Sequence, residues 1–256
     1  MKKIWLILVC VLCLVSVVGG KWYWNHKLDR ITLQAKNDTA SIEGLSADQS
    51  ETLIEKNIAK LPKELRNAAE NAYKKNGQVR IVMIGSSNEQ ALALLLQKQL
   101  DDTFGEAFFR VSVQDMGKSN SLVLNQAKLG DLMKNVNGSP DLVIYTPLIY
   151  NDDRQVSTDD TETVATLLAE KVKNKYPKAA FLVSLPNYSS KQPYMNDRID
   201  QMKTYIQKQK IAVLNYLSEW PKGSKRADVV GDDGYTMNVN GREIWIDYIT
   251  KQWQLK

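Results

Sequence analysis

"VRIVMIGSSNEQALALLLQKQL", residues 79–100, decides the fold. Its first part, 79–85, is a short apolar run rich in β-branched residues, which reads as a buried strand. Gly85 permits a tight turn, and Ser86, Ser87 and Asn88 supply polar turn residues. Leu92, Leu95, Leu96 and Leu100 then recur at helical spacing. Asn88 is a good N-cap for that helix. The segment is strand, turn, helix, with two hydroxyls at the junction.

The same alternation continues downstream. Strands are predicted at 108–113, 141–147, 179–185 and 211–216. Between them, Leu122, Leu129, Leu132, Met133 and Val136 mark one helix, and Val164, Leu167, Leu168 and Val172 a second. Ile199, Met202 and Ile206 mark a third, and Ile244, Trp245, Tyr248 and Ile249 the last. Such alternation predicts a parallel sheet with helices on both faces, a three-layer α/β/α sandwich. Nearly continuous apolar strands fit burial on both faces. Ligands of such sheets bind beyond the carboxyl ends of the strands.

Upstream, 47–75 turns helical, with Pro62 starting a second helix at its first turn and Gly77 ending it. Their apolar positions read as core. Residues 25–46 are polar and aperiodic and read as a stalk. Lys2 and Lys3 precede an uncharged apolar run from Ile4 to Gly20, followed by Trp22, Tyr23 and Trp24. At 1.5 Å per residue, about 17 residues nearly span a hydrocarbon core of roughly 30 Å. We read 1–24 as an uncleaved single-pass transmembrane anchor with the N-terminus inside, which places the domain 47–256 outside the cytoplasm. A cleaved signal peptide, and hence secretion, is the rival reading.

The chain of 256 residues carries a formal net charge of +5, without a block of like charge. A nucleic-acid groove is therefore not expected. Cys10 and Cys13 both lie in the apolar run, so the domain has no disulfide. No His/Cys cluster, calcium-loop spacing or P-loop is present, and neither a metal nor a cofactor is expected.

Chemistry-bearing residues fall at the predicted strand ends: "GSSNEQ" (85–90), "QDMGKSNS" (114–121), "TPLIYNDDR" (146–154) and "DDGYTMNVNG" (232–241). In this order and strand context the four blocks resemble the SGNH/GDSL hydrolase family over residues 79–253. The resemblance implies a flavodoxin-like sheet and an esterase chemistry. It puts Ser87 in the nucleophile's place and Asp233 in that of the family's aspartate. Ser87, Asn120 and Asn151 take the places of the oxyanion-binding groups. The family carries glycine where Asn120 stands, but the backbone N–H of an asparagine still donates, and Asn tolerates a left-handed conformation.

The graver departure is Thr236, which stands where the family has its catalytic histidine. A serine hydroxyl needs a base within hydrogen-bond reach, and a threonine hydroxyl has no such basicity. The one histidine in the chain is His26, in the stalk. Two readings follow. One is a membrane-tethered esterase or acyl-transfer enzyme acting on an acylated small molecule or envelope glycan with an unconventional base, such as Asp232 or Asp233. The other is a silent SGNH-like module that binds an envelope glycan or a protein partner in the same cleft. A nucleotide-binding sheet lacks any phosphate fingerprint.

Overall fold

A computed structural model describes residues 47–255. The apolar run, Trp22, Tyr23, Trp24, His26 and the stalk lie outside the described residues. No helix among the described residues is long and apolar enough to cross a membrane.

Two helices, α1 (Ala47–Lys60) and α2 (Lys63–Lys74), precede β1 (Val79–Gly85). The predicted order then follows: α3 (Glu89–Phe104), β2 (Phe109–Asp115), α4 (Ser121–Gln126), α5 (Leu129–Leu132), β3 (Leu142–Tyr145), α6 (Thr158–Lys175), β4 (Ala180–Ser184), α7 (Pro193–Lys208), β5 (Ala212–Leu214) and α8 (Val239–Trp253). All strand pairs are parallel, in the order β2-β1-β3-β4-β5.

That order reverses direction at β1. The chain leaves β1 for β2, then returns past β1 to lay down β3, β4 and β5. With right-handed crossovers, α3 must cover one face and α4, α6 and α7 the other. The packing agrees: α3 packs on α8, α4 on α6, and α6 on α7. The switch point of the sheet is therefore the crevice beyond the ends of β1 and β3.

β1 and β3 are buried nearly throughout, as both-face burial requires. The edge strand β2 is half-exposed beyond Phe109. The helix predicted from Leu122 to Val136 is broken into α4 and α5, because Ala127 adopts an extended conformation (φ −63°, ψ 139°). Pro62 sits just before the first turn of α2 rather than in it, and the carbonyl of Pro62 accepts from the N–H of Leu65 and Arg66.

The last helix is fastened at two points, one to the sheet and one to the loop before it. Trp245 is fully buried, and its indole N–H donates to Ser184 Oγ at the end of β4 (3.1 Å). Asn238 caps α8 by accepting from Gly241 N–H (3.1 Å) while its amide donates to Asp228 O and Val230 O (2.9 and 3.2 Å). Gly241 comes so close to the preceding loop that a Cβ there would lie 2.2 Å from Val229 O.

Candidate functional site

The turn after β1 presents its serines in different ways. Ser86 is half-buried and donates from Oγ to Asn151 Oδ1 (3.2 Å), which joins the end of β1 to the loop after β3. Ser87 is exposed and has φ +65°. A non-glycine residue in the left-handed region stores about 1–3 kcal/mol of strain and persists only where its surroundings impose it. Among the described residues, the Ser87 hydroxyl has no hydrogen-bond partner.

Asn88 does not cap α3; its side chain makes no capping bond. It instead spans the crevice, accepting from Met237 N–H (2.9 Å) and donating to Asn187 Oδ1 (3.2 Å). Asn187, after β4, donates to Tyr235 O (2.7 Å), and its carbonyl accepts from the Tyr150 hydroxyl (2.6 Å). Tyr150 and Tyr235 stack with ring centroids 4.6 Å apart. These bonds draw the turn after β1, the loop after β3 and the 232–237 turn to one rim. Asn187, Tyr150 and Asn88 are structural members of that rim that the sequence reading did not assign. Asn187 follows β4 in "SLPNYSS", a strand end that carried no recognised motif.

The loop after β2 is held by the pair that follows β3. Asn151 donates to Gly117 O and Ser119 O (2.8 and 2.7 Å). Asp152 is fully buried and accepts from Ser121 N–H (2.7 Å), Ser121 Oγ (2.6 Å) and Thr161 Oγ1 (2.6 Å). Both amide hydrogens of Asn151, the expected oxyanion donor, go to carbonyls here, and Asn151 clamps the loop. Asn120 is extended (φ −88°, ψ 176°), not left-handed, because its side chain caps α4 by accepting from Val123 N–H (3.1 Å). The backbone N–H groups of Ser87 and Asn120 have no backbone acceptor among the described residues.

Asp233 and Thr236 form a closed unit. Asp233 Oδ1 accepts from Tyr235 N–H (2.9 Å) and Thr236 N–H (2.8 Å), and its Oδ2 accepts from Thr236 Oγ1 (2.5 Å). Partial burial pushes the Asp233 pKa up, but the Thr236 hydroxyl, the two N–H groups and the Lys191 ammonium together lower it below the usual carboxylate value. A carboxylate so satisfied is a poor proton acceptor. Gly234 lets the turn close, at φ +82°.

Beneath the rim lies a cavity of about 20 Å³, lined by Ser86, Ser87, Asn88, Glu89, Thr146 and Tyr216 among others. Glu89, the first residue of α3, is 2% exposed. Its carboxyl group folds over Gly85 so closely that a Cβ there would lie 2.5 Å from Glu89 Cδ.

No family model matches the sequence, and no curated protein matches it either. Solved structures do resemble it. A GDSL-like lipase from Bacteroides thetaiotaomicron is 19% identical, with a TM-score of 0.52 over 75% of this chain and 97% of that one. This chain has the SGNH/GDSL hydrolase fold. A peptidoglycan O-acetylesterase is similar at 10% identity and TM-score 0.60, over 75% of this chain and 94% of that one. A carbohydrate esterase of family 3 from Talaromyces cellulolyticus is similar at 14% identity and TM-score 0.55, over 68% and 96%. Within the SGNH/GDSL fold, the switch-point crevice at β1 and β3 is the place where Ser87 and Asn151 stand.

Proposed function

We propose that this chain is a serine ester hydrolase or acyl-transfer enzyme with Ser87 as nucleophile. The observation that carries the reading is the state of Ser87. It is strained, exposed and unpartnered at the switch point, with its own N–H and that of Asn120 free to receive a developing oxyanion. A serine that merely tied up the turn would satisfy its hydroxyl and relax its backbone. The stacked Tyr150–Tyr235 wall and the esterases among the similar structures support an acylated glycan or small molecule as substrate. The apolar run 4–20 supports a tether that holds the domain outside the membrane.

A second reading is a binding module without turnover, and Thr236 favours it. The residue in the histidine's place cannot take a proton, and its hydroxyl is bound to Asp233. In a serine protease, loss of the triad histidine costs on the order of 10⁶ in turnover.

The test uses the full-length chain in detergent, with p-nitrophenyl acetate and a serine-reactive fluorophosphonate, beside Ser87→Ala. Labelling and hydrolysis that vanish in the variant are expected. No labelling of the wild type gives the binding module instead. Thr236→His places an imidazole beside Asp233, and we expect it to raise acetate hydrolysis by about 10²-fold or more. Unchanged hydrolysis in a folded variant would mean that position 236 does not face the nucleophile.

A further inference from the structure

No histidine lies among the described residues, yet an ester hydrolase of this fold needs a proton acceptor. Asp233 is saturated with hydrogen bonds, which leaves the question of what else faces the serine turn. One buried carboxyl group beside the serine turn has no hydrogen-bond partner to explain it. Glu89 is buried, and neither of its oxygens has an aligned hydrogen-bond partner. The Thr146 hydroxyl and the N–H groups of Glu89 and Asn88 stand near enough to favour its charged form, without completing a hydrogen bond to it. Burying a carboxyl group in this way is costly, and a leucine would fill the space without that cost. The space beside it is part of the cavity lined by Ser86 and Ser87.

We propose that Glu89 is the acid–base residue of the Ser87 turn, acting through one water molecule in the cavity the two residues share. The proposal rests on the hydrolase reading. A cavity of about 20 Å³ holds a single water, for which roughly 10–15 Å³ is needed. The water has polar neighbours in Glu89, Thr146 and the Tyr216 hydroxyl, which is itself buried without a partner.

The steps balance. As Ser87 Oγ bonds to the acyl carbon, its proton passes to the water and a water proton passes to the Glu89 carboxylate. As the ester C–O bond breaks, Glu89 returns a proton by the same path to the leaving alkoxide. In deacylation an incoming water loses its proton to Glu89 and attacks the acyl carbon. The C–O bond to Ser87 breaks, the carboxylic acid leaves, and Ser87 regains a proton.

The surroundings suit the task. Burial pushes the Glu89 pKa up to about 7, with Asp115 at the end of β2 adding to the rise and Thr146 and the two N–H groups opposing it. Tyr145 at the end of β3 and Tyr216 after β5 face it as well. Burial raises both phenols above their ordinary value, so they stay neutral while Glu89 titrates. An acid–base group works best when its pKa lies near the working pH.

The experiment follows single-turnover fluorophosphonate labelling of the full-length chain from pH 5 to 9, for wild type, Ser87→Ala, Glu89→Gln and Glu89→Asp. The expected wild-type rate depends on Ser87 and rises with pH through a limb near 7. Glu89→Gln is expected to lower the rate by about 10²-fold or more and to remove the limb. Glu89→Asp keeps a limb. A structural role for Glu89 moves thermal stability, not this limb. Ser87-dependent labelling that Glu89→Gln leaves at the wild-type rate, or a wild-type profile without the limb, overturns the role of Glu89 alone. If Glu89→Gln does not fold, Glu89→Asp and the wild-type profile decide. Labelling no faster in wild type than in Ser87→Ala overturns the hydrolase reading, and the role of Glu89 with it.

Discussion

Ser87, in the turn after β1, and Glu89, at the start of α3, carry costs that the fold does not need, and each predicts a trade of stability against chemistry. Ser87 holds φ +65°, where a side chain costs about 1–3 kcal/mol and glycine costs little. Ser87→Gly should therefore lose fluorophosphonate labelling while gaining about 1 kcal/mol, or about 2–4 °C in Tm for a domain of this size. A lower Tm in the glycine variant would show that the turn is not strained. Glu89 titrates at about 7 in the folded chain against 4.5 when free, because burial disfavours its charge. Between those pH values the folded state binds more protons than the unfolded one, so stability is lost as pH rises. The loss is complete above about 7 and amounts to about 3 kcal/mol. Glu89→Gln has no such titration. Its Tm relative to wild type should climb from pH 4.5 to 7 and then level off. Melting curves whose difference stays flat over that range would place the carboxyl group in contact with solvent. Asp233 is shifted the opposite way, by hydrogen bonds that favour its charged form.

At the scale of elements, close approach and strand-end loops decide more than propensity. Gly241 lies in the first turn of α8, where alanine would gain about 1 kcal/mol from helix propensity. A Cβ there would stand 2.2 Å from Val229 O and 3.0 Å from the Trp220 ring, so the helix would have to leave its seat. Gly241→Ala should cost about 1–3 kcal/mol in spite of propensity, seen as a fall in Tm. Gly130, in α5, is the control: a Cβ meets only the flexible tip of Lys175 (3.2 Å), and Gly130→Ala should leave Tm unchanged or raise it. A Gly241→Ala chain as stable as Gly130→Ala would show that the α8 contact yields. The strands and long helices were legible because β1, β3, α3 and α6 carry apolar periods long enough to read. The break at Ala127 was not, since an apolar period runs on through it and only the backbone departs. The rim was legible where a motif repeats a known order, at Ser87, Asn151 and Asp233. Asn88 and Asn187 were hidden because an asparagine that spans a crevice looks the same in sequence as one that caps a helix. Glu89 was hidden because it reads as an ordinary acidic residue in a first helical turn.

At the scale of the whole molecule, the domain supplies a crevice and the proposed tether supplies its location. Substrate choice for a tethered hydrolase is set as much by what lies within reach of the membrane as by the crevice. As a helix, the proposed tether over 4–20 would cover only about 25 Å at 1.5 Å per residue, somewhat less than the hydrocarbon core. Lys2, Lys3 and Lys21 at its ends, with Trp22 and Trp24, suit a short span whose flanking side chains reach the interface. A span of this length has little apolar surplus. A charge at a helix centre costs about 2.5–3.5 kcal/mol for Asp, so two should defeat insertion. The full-length chain is therefore expected to stay with membranes through both high salt and alkaline carbonate. Val11→Asp with Leu14→Asp should release it. High salt alone would release a chain held only by its positive charge. The mass of the mature chain separates the tether from its rival: retention of residues 1–24 fits the anchor, and a mature N-terminus at about residue 21 with protein in the medium would sink it.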